Sequence, residues 1–90
     1  MASRRSLKKD INYISDFTVG LCIMAGLEKK DKRETIDQLI LQAHNVRREA
    51  LRRISHTEPG SVKLFYKKLR EDFNNGTEAI CNQLETLIKG

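Results

Sequence analysis

Residues 17–27 read FTVGLCIMAGL, eleven residues without a charge in a chain in which 32% of the residues are charged. A helix of eleven residues is about 16 Å long, whereas the hydrocarbon core of a bilayer is about 30 Å thick. Asp10 and Asp16 interrupt the approach to the run, and the EKKDKR segment after it offers no signal-peptide cleavage site. The run therefore predicts a helix that is covered by protein, and neither a membrane anchor nor an export signal.

The composition of the chain predicts an all-α fold. Its 90 residues are enough for one domain, residues 1–90, with a thin core. Aromatic residues make up 6% of the chain, and it has one Pro and no Trp, which is typical of long solvated helices. Cys22 and Cys81 do not form the dense cysteine framework of small secreted folds, so we expect reduced, packed thiols and a cytoplasmic protein.

The first predicted helix begins near Ser3 or Ser6 and ends at about Leu27. It carries two apolar stripes, whereas an amphipathic helix with one covered face has a single stripe. The stripe assigned to the chain's own core is Leu7, Ile11, Ile14, Thr18, Leu21, Cys22 and Ala25. The second stripe, which lacks an obvious partner within the chain, is Val19, Ile23 and Leu27, with Phe17 and Met24 at its edge.

Two further helices follow. Asp31 and Glu34 have the spacing of a capping box, which places the start of the second helix at about Lys32 and its end at about Ser55. The HTEPGS segment, residues 56–61, predicts a turn because Pro59 cannot continue a helix. The third helix runs from about Ser61 to Lys89, and it continues through FNNGTEAI because the apolar spacing does not slip there.

We predict that the second and third helices form an antiparallel hairpin and that the first helix packs on it. A short turn would bring Ile40 opposite Gly76, where the missing side chain lets the two backbones approach. The other predicted levels pair Ile54 with Val62, Ala50 with Tyr66, Arg47 with Leu69, and Ala43 with Phe73. Such a bundle of long helices would be elongated and under-filled, so we expect oligomerisation to complete it.

The chain holds no motif that predicts catalysis, a metal site or a cofactor. The predicted hairpin brings His44, Arg47 and Asp72 together as a polar cluster, and such a cluster more often fixes the packing of helices than performs chemistry. We therefore expect a protein that is not an enzyme and that binds no cofactor.

The positive charge of the chain is concentrated at its start. Residues 1–9 contain Arg4, Arg5, Lys8 and Lys9 and no acid, and residues 1–5 are predicted to be a frayed arm. The remaining residues carry 13 basic and 12 acidic side chains, so we expect a nearly neutral body. The alternative function is weak nucleic-acid binding, with phosphate contacts from Arg4, Arg5, Lys8, Lys9, Arg48 and Arg52.

The start RRSLKKDINY, the SHTEPG segment and the later KKLREDF resemble a family of short, uncharacterised bacterial proteins with a start of this kind and an HxEPG-type turn. The resemblance covers much of the chain. It implies a small helical fold in a bacterial cytoplasm, and it carries no activity, cofactor or catalytic residue.

These patterns together favour a protein-interaction or self-association module. We expect a homo-oligomer, with a dimer favoured, or a complex with a partner helix, and no membrane association. The predicted interface is Phe17, Val19, Ile23, Met24 and Leu27.

Overall fold

The computed structural model describes residues 4–55 and 62–89 and confirms the all-α prediction. The helices are α1 (Arg4–Glu28), α2 (Arg33–Ser55) and α3 (Val62–Lys89), with a 3-10 turn (Lys30–Lys32) between α1 and α2. No strand occurs in these two ranges. The bounds differ from the predicted ones by one or two residues. Arg4 and Arg5 are already helical, whereas the predicted HTEPGS turn and the start at Ser3 lie outside the described residues.

The three helices run up, down and up, and they form a rod of 49 × 19 × 17 Å. Helix α2 is the central element, because α1 packs more extensively on α2 than on α3. The predicted hairpin with a third helix packed on it is therefore confirmed, and the bundle is as elongated as expected.

Two apolar clusters lie one after the other along the rod. Between them α1 contributes small buried polar residues, Ser15 and Thr18, and the Thr18 hydroxyl donates a hydrogen bond of 2.8 Å to the Ile14 carbonyl. The cluster at the start of α1 is formed by Leu7, Ile11, Ala50, Ile54, Leu69 and Phe73. The cluster at the end of α1 is formed by Cys22, Ala25, Ile36, Leu39, Ala43, Ile80 and Leu84.

The register of the predicted hairpin is wrong. Gly76 faces α2 as expected, but its neighbour is Val46, whose two γ-carbons lie 3.3 Å from the position that a Cβ of residue 76 would take. The prediction placed Ile40 there, six positions away, which corresponds to about 9 Å of helix. Accordingly, Ala50 packs in the cluster of Phe73, and Ala43 in the cluster of Ile80.

The predicted capping box is also not formed. Asp31 lies inside the 3-10 turn, and the Lys32 N–H donates to the Lys29 carbonyl at 3.0 Å. The Arg33 N–H donates to the carbonyl of Lys30 in the same way. The 3-10 turn thus leads into α2 through backbone hydrogen bonds, and the Arg33 N–H, the first donor of α2, is satisfied by a carbonyl and not by the Asp31 side chain.

Most of the predicted core stripe of α1 is confirmed, since Leu7, Ile11, Thr18, Cys22 and Ala25 are buried, but the helix is slightly rotated relative to the prediction. Leu21, which was assigned to the core, is exposed, whereas Ser15 is buried. Val19, which was assigned to the unpartnered stripe, is half-buried against the cluster of Cys22 and Ala25. The row of α1 side chains opposite this core is exposed to solvent.

Candidate functional site

The side of α1 that points away from the bundle carries a row of exposed apolar side chains. The exposed fractions are 72% for Tyr13, 61% for Phe17, 64% for Met24 and 62% for Leu27. Together with Gly20 these residues are separated by alternating steps of four and three, which places them on one side of the helix. We call Tyr13, Phe17, Gly20, Met24 and Leu27 the outer face of α1.

Ion pairs hold α1 to both neighbouring helices beside the outer face. Asp16 pairs with Arg47 of α2 at 3.3 Å, and Asp10 pairs with Arg70 of α3 at 3.3 Å. Exposed ion pairs add little to stability. Their consequence here is geometric, because they lie on opposite sides of the row and give the apolar side chains a polar rim.

Gly20 lies in the middle of the outer face. A Cβ built on it would meet no atom within 4 Å. Gly20, in contrast to Gly76, therefore makes no close contact inside the bundle. The absence of a side chain on this surface allows another backbone to approach.

Further apolar side chains extend the outer face towards α3. Leu21 is 38% exposed and lies beside Met24 in a groove of about 370 Å³ between the ends of α1 and α3. On the α3 side the groove is lined by Cys81, Leu84 and Ile88, and the ion pair of Glu85 and Lys89 forms its polar border. Leu21 of α1 and Ile88 of α3 are thus two exposed apolar side chains in one groove.

The predicted interface residues are mostly exposed. Phe17, Met24 and Leu27 belong to the outer face, and Ile23, which is half exposed, lies at its edge towards α2. Val19 is the exception, because it packs inside the bundle. Tyr13 was missed, although its distance of four residues from Phe17 was a signal that could have identified it.

The predicted polar cluster is not brought together. Asp72 pairs with Arg53 at 2.9 Å and with Lys68, while Arg47 pairs with Asp16. His44 is exposed and lies with Arg47 beside a shallow depression on the α1 side of α2. The prediction failed because it rested on the wrong helix register.

Both cysteines are free thiols. Cys22 is fully buried, and burial raises the pKa of its thiol above the ordinary value, with a smaller contribution from the nearby Cys81. A buried thiol with a raised pKa is unreactive, so Cys22 acts as a small apolar residue.

The charge of the folded chain is polarised along the rod. The basic end, defined as described residues 4–16, 47–55 and 62–75, carries 12 basic and 5 acidic side chains. The other end, residues 17–46 and 76–89, carries 5 basic and 6 acidic side chains. Residues 10–90 are nearly neutral in total, as expected from the sequence, but the antiparallel order of the helices places most of the basic side chains at one end.

The predicted phosphate contacts all lie at the basic end. Arg4, Arg5, Lys8, Lys9 and Arg48 are exposed, and within the described ranges none of them has an ion-pair partner. Arg52 differs, because it donates to the Glu49 carboxylate. That hydrogen bond holds the pKa of Glu49 below its usual value.

No group of three His, Cys, Asp or Glu side chains is arranged to hold a metal ion within residues 4–55 and 62–89. In the same ranges no helix combines the length and the apolar character that a membrane crossing requires.

Comparison with known proteins adds no assignment. The chain matches no protein-family model, no curated protein and no solved structure. Function has to be argued from the outer face of α1 and from the basic end.

Proposed function

We propose that this protein is a small, non-catalytic association module that forms a homodimer through the outer face of α1. The observation that carries the proposal is the row of exposed apolar side chains at Tyr13, Phe17, Met24 and Leu27. Scattered apolar residues are normal on a protein surface. A continuous row with a rim of ion pairs has the composition of a protein interface.

The spacing of the row favours a helix as the partner. Steps of four and three over two heptads are the pattern with which the side chains of two helices interdigitate. The row spans 14 helical steps, or about 21 Å, so it offers the contact length of a helix pair.

A second copy of the chain is the partner that fits best. If two α1 helices cross in antiparallel orientation at Gly20, Tyr13 of one copy faces Leu27 of the other and Phe17 faces Met24. The bare backbone of Gly20 then allows close approach at the crossing point. The contact would be centred at the border of the nearly neutral end, and the two basic ends would point in opposite directions.

The area of this contact suggests a weak dimer. A standard interface buries about 800 Å² on each partner. A single helix pair of about 21 Å, even with Leu21 and Ile88 at its edge, buries less. We therefore expect a dissociation constant in the micromolar range or weaker.

The experiment is sedimentation of the purified protein over a wide concentration range, with two matched variants. Met24→Lys changes the outer face at a side chain that is 64% exposed, and Leu41→Lys changes an apolar side chain on α2, outside the outer face, that is 63% exposed. Both variants add the same charge. We expect Met24→Lys to abolish the dimer and Leu41→Lys to leave it intact, with unchanged helicity in both.

Two results would contradict the proposal. The first is a wild-type protein that stays monomeric at every concentration. The second is an equal loss of association in the two variants, which would indicate non-specific contact between apolar residues rather than a defined seam.

We also propose a cytoplasmic location, supported by the two free thiols. The resemblance to the short helical family favours a bacterial protein. Cell fractionation with an antibody against the chain tests the location, and recovery from the periplasm or the membrane would contradict it.

A further inference from the structure

The basic end of the bundle has more positive charge than its own acids neutralise. Five of its 12 basic side chains are in ion pairs with four carboxylates, those of Asp10, Asp16, Glu49 and Asp72. The other seven have no ion-pair partner among the described residues, and the remaining acid is Glu71. These seven side chains are Arg4, Arg5, Lys8, Lys9, Arg48, Lys63 and Lys67.

The fold creates this surface from three separate segments. The start of α1 and the start of α3 are both at the end of the bundle at which α2 finishes, because Leu7, Ile54 and Leu69 share one apolar cluster. Lys8 and Lys63 are 55 positions apart in sequence and are exposed at the same end. Three helices thus present unpaired cations around an end that is 17 to 19 Å wide.

We infer that the basic end binds the phosphate backbone of duplex nucleic acid without reading its sequence. A duplex carries one negative charge for about every 1.7 Å of its axis, so an end of this width covers about ten phosphates. Lysine and arginine side chains are among the groups that contact such a backbone, and backbone contacts carry no sequence information.

The aromatic residues of this end argue against a single-stranded ligand. Single strands bind by stacking successive bases on exposed rings. Phe65 and Tyr66 are half-buried, and the Arg53 guanidinium lies 5.9 Å from the centre of the Phe65 ring. Tyr13 and Phe17 are exposed, but they belong to the outer face of α1, which is bordered by the carboxylates of Asp10 and Asp16.

The apolar residues argue against a membrane surface. Binding to anionic lipids requires an apolar face flanked by basic side chains. At the basic end only Val62 and Leu64 are exposed aliphatic side chains among the described residues. The larger outer face of α1 is flanked by the ion pairs of Asp10 and Asp16 and by Glu28, and not by the unpaired basic side chains on both sides that an anionic bilayer would bind.

The test measures binding of the full chain to a labelled 20-base-pair DNA duplex by fluorescence anisotropy at several salt concentrations. About four phosphate contacts would give a slope of about −4 in a plot of log affinity against log salt. The variant Lys8→Glu/Lys9→Glu changes α1, and Lys63→Glu/Lys67→Glu changes α3. The control Lys30→Glu/Arg33→Glu changes exposed cations at the other end of the rod.

All three variants lower the formal net charge from +5 to +1, so any effect of total charge is the same in each. We expect the variants in α1 and α3 each to lose at least about tenfold in affinity and to show a shallower salt slope. The control should lose less than about twofold. Circular dichroism confirms that each variant is folded.

Four outcomes would overturn the inference. They are no binding to the duplex at low salt, an equal loss in all three variants, stronger binding to a single strand than to the duplex, and stronger binding to vesicles that contain phosphatidylserine. The inference does not rest on the homodimer, because the duplex is bound by the basic end. Met24→Lys changes the outer face at the other end, so this variant in the same assay separates the failure of the dimer from the failure of duplex binding.

Discussion

At the scale of single residues, two glycines in helices have opposite surroundings. Gly20 has no atom within 4 Å of its Cβ position, whereas that position at Gly76 lies 3.3 Å from two γ-carbons of Val46. Glycine in a helix costs about 0.5 to 1 kcal/mol relative to alanine. Of these two residues, Gly76 has a reason within the bundle to be a glycine and Gly20 has none.

This contrast predicts different effects of the same substitution. Gly20→Ala should raise the free energy of unfolding by about 0.5 to 1 kcal/mol, which corresponds to a few degrees in the melting temperature. Gly76→Ala should gain less or be destabilising, because Val46 has to shift. Urea titrations of dilute protein, in which no dimer forms, measure both. A larger gain at Gly76 than at Gly20 would contradict the packing described.

The same glycine connects stability with association. If the two copies approach closely at Gly20, Gly20→Ala should weaken the dimer while it stabilises the monomer. A glycine whose role is to contact a partner is expected to behave in this way, because its replacement by alanine stabilises the monomer and weakens binding.

The thiols give a second prediction at this scale. Cys81 is half-buried and should react with an aromatic disulfide reagent within minutes, whereas fully buried Cys22 should react only as the protein opens. Cys81→Ser should remove the fast phase alone. Two equally fast thiols in the folded protein would contradict the buried position of Cys22.

The raised pKa of Cys22 also predicts an effect of alkaline pH on stability. The folded state holds the thiol proton more tightly than the unfolded state does. This contribution to the free energy of unfolding is therefore complete below the ordinary thiol pKa and is lost as the pH rises through the raised value. The difference in the free energy of unfolding between the wild-type protein and Cys22→Ala, measured between about pH 8 and 10, isolates the contribution of the Cys22 thiol. Other groups titrate equally in both proteins.

At the scale of helices, the ends and the antiparallel pairing were predictable from sequence, and the register of α2 against α3 was not. The apolar spacing and the charged EKKDKR connection place the bounds within one or two residues of those observed. The relative position of α2 and α3 depends instead on the length and path of the connection, which spacing does not encode. A slip by about six positions keeps apolar residues facing each other, so the pattern alone accepts either register.

A disulfide can decide between the two registers. The Cβ position of Gly76 lies 3.9 Å from the Cβ of Val46, within the range of about 3.5 to 4.5 Å that a disulfide spans. Val46→Cys/Gly76→Cys should therefore cross-link on mild oxidation, in a Cys81→Ser background that leaves only buried Cys22. The matched pair Ile40→Cys/Gly76→Cys, which the sequence-based register favours, should stay reduced. Peptide mapping by mass spectrometry identifies the bond, and the reverse result would contradict the observed register.

Rotation of α1 has a similar cause. Ser15 is polar and Leu21 is apolar, so the spacing of apolar residues places Leu21 in the core and Ser15 on the surface. The structure has them the other way round. The small Ser15 is buried where α1 packs closely on its neighbours, and packing volume overrides polarity there. Most of the outer face was still predicted, since Phe17, Met24 and Leu27 remain exposed after the rotation.

At the scale of the whole molecule, the distribution of charge could not be derived by counting along the chain. Residues 10–90 are nearly balanced, and only the up-down-up order of the helices places 12 of the 17 basic side chains at one end. That order opposes a parallel dimer, in which two basic ends would lie side by side. It permits the antiparallel crossing at Gly20, which separates them along a rod of 49 Å.

The two proposed contacts should therefore respond differently to salt. Charges that are farther apart than about 10 Å are largely screened at 0.1 M salt. The antiparallel dimer keeps its basic ends farther apart than this, so its dissociation constant should change by less than about threefold between 50 and 300 mM sodium chloride. Binding of the duplex should weaken more than a hundredfold over the same range, because phosphate contacts release counterions. Sedimentation and anisotropy on one preparation measure both quantities, and a dimer that tightens steeply with salt would indicate that the basic ends lie side by side.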